Sequence, residues 1–492
     1  MGRYARCTAR PRLQLDDRLY STDHAETGTA MMNFCGDTLS ITPTPGQPFS
    51  FLSTIAVISD DEGRLLFYTN GFQIRNAAHE LMLNGDSLQV EDVLELRNIG
   101  LDMIQGAVIV PFPEQPGKYV LIHAESFLGE GYLVATPLKY TIVDMSLDGG
   151  LGGVVEKNVV IRNDTVEYGK LVATRHANGR DWWVVASKFD DGRLIRLLIT
   201  PNGVEDYGLT DEAYVSYTDY GNAAFSPDGS YYTNTSVTLV SPNDISIDLL
   251  RFDRCTGAFS TIENYIDNTA TGYSFVAFSP NSQYMYQSYG RVINQFDLSV
   301  IPLAQGRVEV AQYDGFQYTQ PGFDPVQVYF FQPELGPDGR IYISPSSPSP
   351  YFHVIESPNS PGLACNVMQH ALRLPFVNAG VPNMPNYRLG ALAGSPCDTL
   401  IMNSVQQPAK DLAPLRVFPN PAQTHFTIAS SSPATLLRLY DGMGRQVLVQ
   451  ALAAGQPEHR IALPAGLPAG VYVAVAEGRE GILGRARVVV AR

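Results

Sequence analysis

The sequence predicts an all-β chain on three observations: a turn-rich composition, a strand-turn-strand unit that recurs through the middle, and an alternating apolar pattern in the last eighty residues. The 492 residues include 43 Gly, 34 Pro and 26 Tyr, and only 17% are charged. That balance favours many short strands joined by turns over long charged helices. With 45% hydrophobic residues, a chain of this length buries large cores and holds more than one domain. No window approaches eighteen uninterrupted apolar residues, so no transmembrane helix is expected.

Taken in order, residues 1–30 open with a basic stretch that has no apolar core of the kind a secretory signal carries. The expectation is a poorly ordered segment whose true start lies elsewhere. From about residue 31 the repeat begins. Its clearest copies are AFSPDGSYYTN from Ala224, AFSPNSQYMYQ from Ala277 and LGPDGRIYIS from Leu335. Weaker copies start at Ile58, Val110 and Ala173. Each is a strand, a turn rich in Pro, Asp, Asn and Gly, and a second strand mixing apolar and aromatic residues. With Gly63, Gly117, Gly179, Gly229, Ser282 and Gly339 as turn markers, the successive gaps are 54, 62, 50, 53 and 57 residues. That is the length of a four-stranded propeller blade with generous loops. A seventh copy is assembled from the two ends, NFCGDTLSITPTPG at Asn33 pairing with VPNMPNYRLGAL at Val381. Such a pairing closes the ring and removes exposed edges. The prediction for residues 31–400 is therefore a seven-bladed β-propeller, with six or eight blades as alternatives.

Residues 401–414 are polar and contain Pro, and read as a linker. Residues 415–492 read as a separate small β domain. It opens on the turn Pro419, Asn420, Pro421, continues through LRLYDGMGRQV with Asp441 and Gly444, then LPAGVYVAVAEG with Gly470 and Tyr472, and ends on RARVVVAR. In this order the motifs resemble the C-terminal sorting domain of the type IX secretion system of Bacteroidetes. The resemblance implies a small Ig-like β-sandwich, partnership with the secretion machinery, cleavage in the linker, and a mature protein secreted or attached to the outer surface. The middle region, through LLFYTNG at Leu65, GLDMIQGAVIVPFP at Gly100, FDRCTG at Phe252 and PNMPNYRLG at Pro382, is similar to the large propeller of Bacteroidetes surface proteins that carry the same tail. That family has no assigned reaction, so no catalytic residue is carried over.

Charge is unevenly spread. The formal net charge is −15, yet residues 411–492 hold eight Arg against five acidic residues and residues 1–20 hold five Arg against two Asp. The intervening region therefore carries −21. So acidic a region repels phosphate backbones, which argues against nucleic-acid binding. None of the five cysteines forms a Cys-x-x-Cys pair. In an exported protein the preferred disulfide is Cys365 with Cys397, because they bracket one blade-sized stretch. The alternative leaves both free and buried, and an odd count leaves at least one thiol unpaired.

A search for chemistry finds no zinc helix, nucleophile elbow or phosphate loop. His176, Asn178 and Asp181 place an imidazole, an amide and a carboxylate within six positions of one hairpin. A turn that hydrogen-bonds itself also accounts for that trio. Of Trp182 and Trp183, which point opposite ways along one strand, one is expected in the core between blades and only the other is able to reach a surface. No cofactor or metal is expected. The functional expectation is a surface-displayed binding or scaffold module for an extracellular glycan or protein. The alternative is a propeller-fold hydrolase or lyase with converging carboxylates near the channel.

Overall fold

The computed structural model describes the chain apart from residues 1–8, 17–28, 36–37, 45–50, 90–96, 99, 129–132, 168–169, 190, 217–220, 238–243, 269–272, 321, 379, 399–414, 430–433, 441–445, 454–455, 465, 479–480 and 492. The chain is all-β and divides into two compact units, residues 1–401 and 402–492. No helix among the described residues is long and apolar enough to cross a membrane.

The larger unit is a succession of small antiparallel sheets, each a meander of sequential strands. The first holds β1 (Ala9–Asp16), β2 (Thr29–Cys35) and β3 (Thr38–Thr44); the second β4 (Ala56–Ser59), β5 (Leu65–Thr69) and β6 (Ile74–Asn76). Four-stranded sheets follow. They are β7 (Ala107–Pro111) to β10 (Gly153–Arg162), through β8 (Lys118–Leu128) and β9 (Leu133–Asp144); and β11 (Val172–Arg175) to β14 (Gly203–Tyr214), through β12 (Trp182–Ser187) and β13 (Arg193–Thr200). Next come β15 (Ala223–Phe225) to β18 (Phe259–Asp267), through β16 (Tyr231–Val237) and β17 (Ile245–Phe252); and β19 (Phe275–Phe278) to β22 (Arg307–Gln312), through β20 (Tyr284–Tyr289) and β21 (Val292–Asp297). A two-stranded excursion, β23 (Gln317–Tyr318) and β24 (Val326–Gln327), precedes the last sheet, β25 (Phe330–Leu335), β26 (Ile341–Pro345), β27 (Ser349–Ile355) and β28 (Val367–Asn378).

The hairpins form where local turn chemistry dictates. All six turn markers have positive φ, from 59° at Ser282 to 85° at Gly339, the region a tight turn demands. Ser282 is the departure, a non-glycine in that region, and Ser279 helps secure the turn by donating its hydroxyl to Asn281 Oδ1 at 2.6 Å.

Successive sheets pack face to face around a ring. First strands touch in order, β4 on β7, β7 on β11, β11 on β15, β15 on β19 and β19 on β25, while β28 meets the first sheet and β1 meets β4. Each interface buries its own apolar cluster, for instance Val184, Ile195 and Leu197 with Val108 and Val120 between the third and fourth sheets. Met32 and Phe34 pack with Phe352 and Val354 between the last sheet and the first. Such burial, at roughly 25 cal/mol per Å² of apolar surface, holds neighbouring sheets together.

Three expectations are corrected. Residues 1–30 are not wholly without structure: the alternating run Arg12, Leu13, Gln14, Leu15 lies in β1, which pairs antiparallel with β2 from Asp16 opposite Thr29 to Ala9 opposite Cys35. The stretch from Val381 joins no sheet. Pro382 and Pro385 lack the N–H that a ladder needs, and the ring closes by packing of β28 on the first sheet instead. Both tryptophans are buried, at 0% and 1% exposure. Trp182 stacks under the Arg175 guanidinium 4.1 Å from its ring, and Trp183 turns its edge to Tyr207 and donates Nε1–H to the Arg254 carbonyl at 2.9 Å.

The smaller unit has two sheets over one core. One holds β29 (Arg416–Phe418), β30 (His425–Ala429) and β33 (Glu458–Ala462); the other holds β31 (Leu436–Tyr440), β32 (Gln446–Ala451), β34 (Gly470–Gly478) and β35 (Gly481–Val490). Phe426, Ile428 and Ile461 from the first meet Leu437, Leu439, Ala474 and Val488 from the second. Pro419 and Pro421 flank Asn420, whose side chain both donates to the Arg487 carbonyl at 2.8 Å and accepts from Val489 N–H at 2.7 Å. The turn thus clips the terminal strand. Gly470 pairs with Val490 at the start of β34, and Tyr472 donates its hydroxyl to the Pro468 carbonyl at 2.8 Å. Asp441 and Gly444 lie outside the described residues.

Candidate functional site

At the hub of the larger unit, the innermost strands present backbone edges that need partners. Side-chain amides supply them. Gln105 exchanges two bonds with Ala223, donating to its carbonyl at 2.8 Å and accepting from its N–H at 3.0 Å. Asn222 does the same for Val276, at 2.9 and 2.8 Å.

The segment after β28 then crosses the hub. Asn383 accepts no strand partner but donates its amide to the carbonyls of Ala107 at 2.9 Å and Leu171 at 2.7 Å, while its N–H reaches Ile55 at 2.9 Å. Tyr387 donates to the Ile109 carbonyl at 2.7 Å, and Asn386 to that of Pro227 at 2.8 Å. Arg254 holds the Gly390 carbonyl at 2.5 Å. One segment thereby binds several sheets at once.

Beside the crossing segment a cavity of about 320 Å³ remains, lined by β11, β15, β19 and β25 and by residues 383–388. Its volume falls in the range of small-molecule sites. Most of its lining residues are proline, glycine or apolar, such as Ala173, Ala223 and Ala277, and Glu334 is its one carboxylate.

The repeat makes Glu334 conspicuous. Each hairpin is closed by a backbone bond from the residue after its first strand: Asp60 to Arg64, Phe112 to Lys118, His176 to Asp181, Ser226 to Tyr231, Ser279 to Tyr284 and Gly336 to Arg340. Two positions before these anchors stand Ile58, Val110, Thr174, Ala224, Ala277 and Glu334. Five sheets place an apolar or small residue there, and the sixth an acid. Among the described residues Glu334 has no side-chain hydrogen bond or ion pair. It is half-buried and lines the cavity, and desolvation pushes its carboxyl well above the ordinary range. Burial likewise raises the hydroxyl of Tyr387, and Tyr119 and Glu334 add to the effect. An acid desolvated without a partner costs stability and has no role in the hairpin, whose other copies form without it.

The hairpin trio is brought together. His176 Nδ1 accepts the Asn178 N–H at 3.1 Å, and Nε2 lies 3.0 Å from the Cys255 carbonyl, so the proton sits on Nε2. Asn178 donates to Asp181 Oδ2 at 2.7 Å, and Arg180 donates Nε–H to Asp181 Oδ1 at 2.6 Å. Both imidazole nitrogens and the carboxylate are occupied within the turn and its neighbour.

The preferred disulfide is corrected: Cys397 bonds Cys255, with Cα atoms 5.6 Å apart, and Cys365 is a buried free thiol. Bracketing one sheet in sequence does not bring residues together. After Cys365 the chain runs out along β28 and back across the hub, which delivers Cys397 to the turn between β17 and β18, while Cys365 packs with Tyr286 and Ile355. Sequence reading missed Glu334 and the crossing segment. The signal for Glu334 was present, since aligning LGPDGRIYIS with its sister hairpins sets this acid against Thr174, Ala224 and Ala277. Among the described residues no group of three or more His, Cys, Asp or Glu is arranged to hold a metal ion.

Residues 416–490 match the family model of the secretion system C-terminal sorting domain. The C-terminal unit is a type IX sorting domain, and it marks the chain as secreted or attached to the cell surface. No curated protein matches the chain. Among solved structures it is similar to a candidate 6-phosphogluconolactonase of Bacteroides fragilis, at 14% identity and a TM-score of 0.44 over 76% of this chain and 97% of that one. A counterpart from Bacteroides uniformis is similar at 15% identity and 0.43, over 75% and 98%. PorZ of Porphyromonas gingivalis, a surface component of the type IX secretion system, is similar at 12% identity and 0.37, over 94% of this chain and 63% of its own. Likeness at this level says nothing of what the chain binds.

Proposed function

We propose that the chain is an exported cell-surface binding module: a seven-bladed β-propeller that holds a ligand in its hub cavity, delivered by an Ig-like sorting sandwich that is removed within the linker. The observation that carries the binding reading is the hub cavity with its single unpartnered carboxyl, Glu334. The blade count rests on seven successive meanders among the described residues, two of three strands and five of four, and on an apolar cluster between each sheet and the next. A glycosidase or lyase of the paired-carboxylate type needs two acids about 5–10 Å apart. The cavity wall offers one, so binding is the better supported reading.

The delivery half is tested in a type IX-competent host by joining a working export signal to the full chain and to a chain ending at Asn403. The full chain is expected on the surface without its tail, and the truncated chain in the periplasm. Surface display of the truncated chain contradicts the reading.

A further inference from the structure

We propose that the hub cavity takes a small organic cation, an alkylammonium group, with Glu334 as its counter-charge. The proposal rests on the reading of this cavity as the binding site.

The cavity wall selects among ligand classes. An anion meets the carboxyl of Glu334 and gains nothing from it. A divalent metal ion needs six or more converging oxygens, and the wall supplies one carboxyl while Gln105, Asn222 and Asn383 spend their amides on main-chain groups. A sugar requires several converging donors and acceptors for its hydroxyls, and the same three amides are already engaged. An alkylammonium requires one negative charge and apolar walls for its carbon atoms. Ala223, Ala277, Val276 and Met384 line the cavity, with the ring of Phe225 beside them. The net charge of −15 further concentrates cations around the molecule. Arg388 also lines the cavity, but it is exposed, where solvent and salt screen its charge.

Entry of the cation ionises the carboxyl. Glu334 releases one proton to solvent and the carboxylate pairs with the ammonium, so no other co-reactant is involved. The charged and titratable groups around Glu334 are Tyr387, which senses its charge, Arg388, which lines the same cavity, and Tyr342, opposite Glu334 in register on β26 and bonded to Asp338 at 2.7 Å. Burial pushes both tyrosine hydroxyls up, so the pH dependence is assigned to Glu334.

The test is calorimetric titration of the full chain with choline chloride and with its uncharged carbon isostere, 3,3-dimethylbutan-1-ol, at two pH values and constant ionic strength. Choline is expected to bind at least tenfold more tightly than the isostere, to tighten as pH rises, and to lose that advantage in Glu334→Gln. The comparison of the two compounds on the unaltered protein stands even if the variant folds poorly. Equal affinities, no choline binding, or an unchanged Glu334→Gln overturns the proposal. Glucose and acetate are titrated alongside. If either binds and is displaced by the cavity-filling Ala224→Phe, the ammonium assignment falls while the cavity remains the binding site.

Discussion

At the scale of single residues, burial sets the protonation states. His123 is fully buried, with Nε2 3.1 Å from the Thr141 hydroxyl, and burial then the Lys139 charge lower its pKa to about 3. His353 is lowered to about 4, first by burial and then by His370. Both values lie below the unfolded value of 6.5. The stability they contribute is present above pH 6.5 and is lost as pH falls toward 4. At pH 5 each costs about 2 kcal/mol. Urea unfolding from pH 8 to pH 4 is expected to show this decline, and His123→Gln to flatten it; an equal slope in the variant contradicts the assignment. Lys170 and Glu167 form an ion pair at 2.8 Å with neither side chain exposed, and Lys170 also donates to Ser236 at 2.7 Å. Lys170→Met removes the ammonium from this buried pair and is expected to cost about 3–5 kcal/mol in the same assay. A change under 1 kcal/mol would mean that the pair is readily dispensed with.

At the scale of elements, the hairpins were legible in the sequence because their causes are local. Asp228 before Gly229 and Asp338 before Gly339 place the turn wherever the chain later goes, and Ser282 takes the same conformation without a glycine. Packing between hairpins was not legible. Gly257 has φ 69°, and a Cβ there would stand 2.6 Å from the Trp183 ring, a contact made only once β12 and the turn after β17 lie in neighbouring sheets. Gly257→Ala is expected to destabilise by about 1–3 kcal/mol through overpacking and the strained backbone. Thermal unfolding measures it, and an unchanged Tm would show that the indole yields. The stretch at Val381 read as strand lacking a partner, yet its two prolines and the amide of Asn383 direct it across the hub. A one-dimensional pattern has no record of which backbone groups lie unpaired at a ring's centre.

At the scale of the whole molecule, the crossing segment and its disulfide turn an array of sheets into a closed unit with a defined cavity. The bond spans 142 residues, and the chain-entropy model gives such a loop about 5 kcal/mol. Cys397→Ser is therefore expected to lower the urea midpoint of the larger unit markedly, whereas Cys365→Ala, which leaves that bond intact and adds no buried hydroxyl, lowers it far less. The reverse pattern contradicts the pairing. The tail was the most legible part of the chain, since PNP, Gly470 with Tyr472 and the terminal valines follow one another in a short span and each closes a contact within the same unit. Glu334 was the least legible, because its meaning depends on the cavity that distant strands create.

The central claim is that Glu334 is placed for a ligand and not for the fold, and its most direct measure is the Tm of the unliganded protein and of Glu334→Gln from pH 4 to pH 8. The folded carboxyl is raised above its unfolded value of 4.5. Its contribution to stability is therefore full below pH 4.5 and lost as pH rises toward the folded pKa. The prediction is that Glu334→Gln is the more stable protein at pH 8, with the gap closing near pH 4. A native protein as stable as the variant or more so at pH 8 would mean that the carboxylate has a structural partner, and would contradict the account.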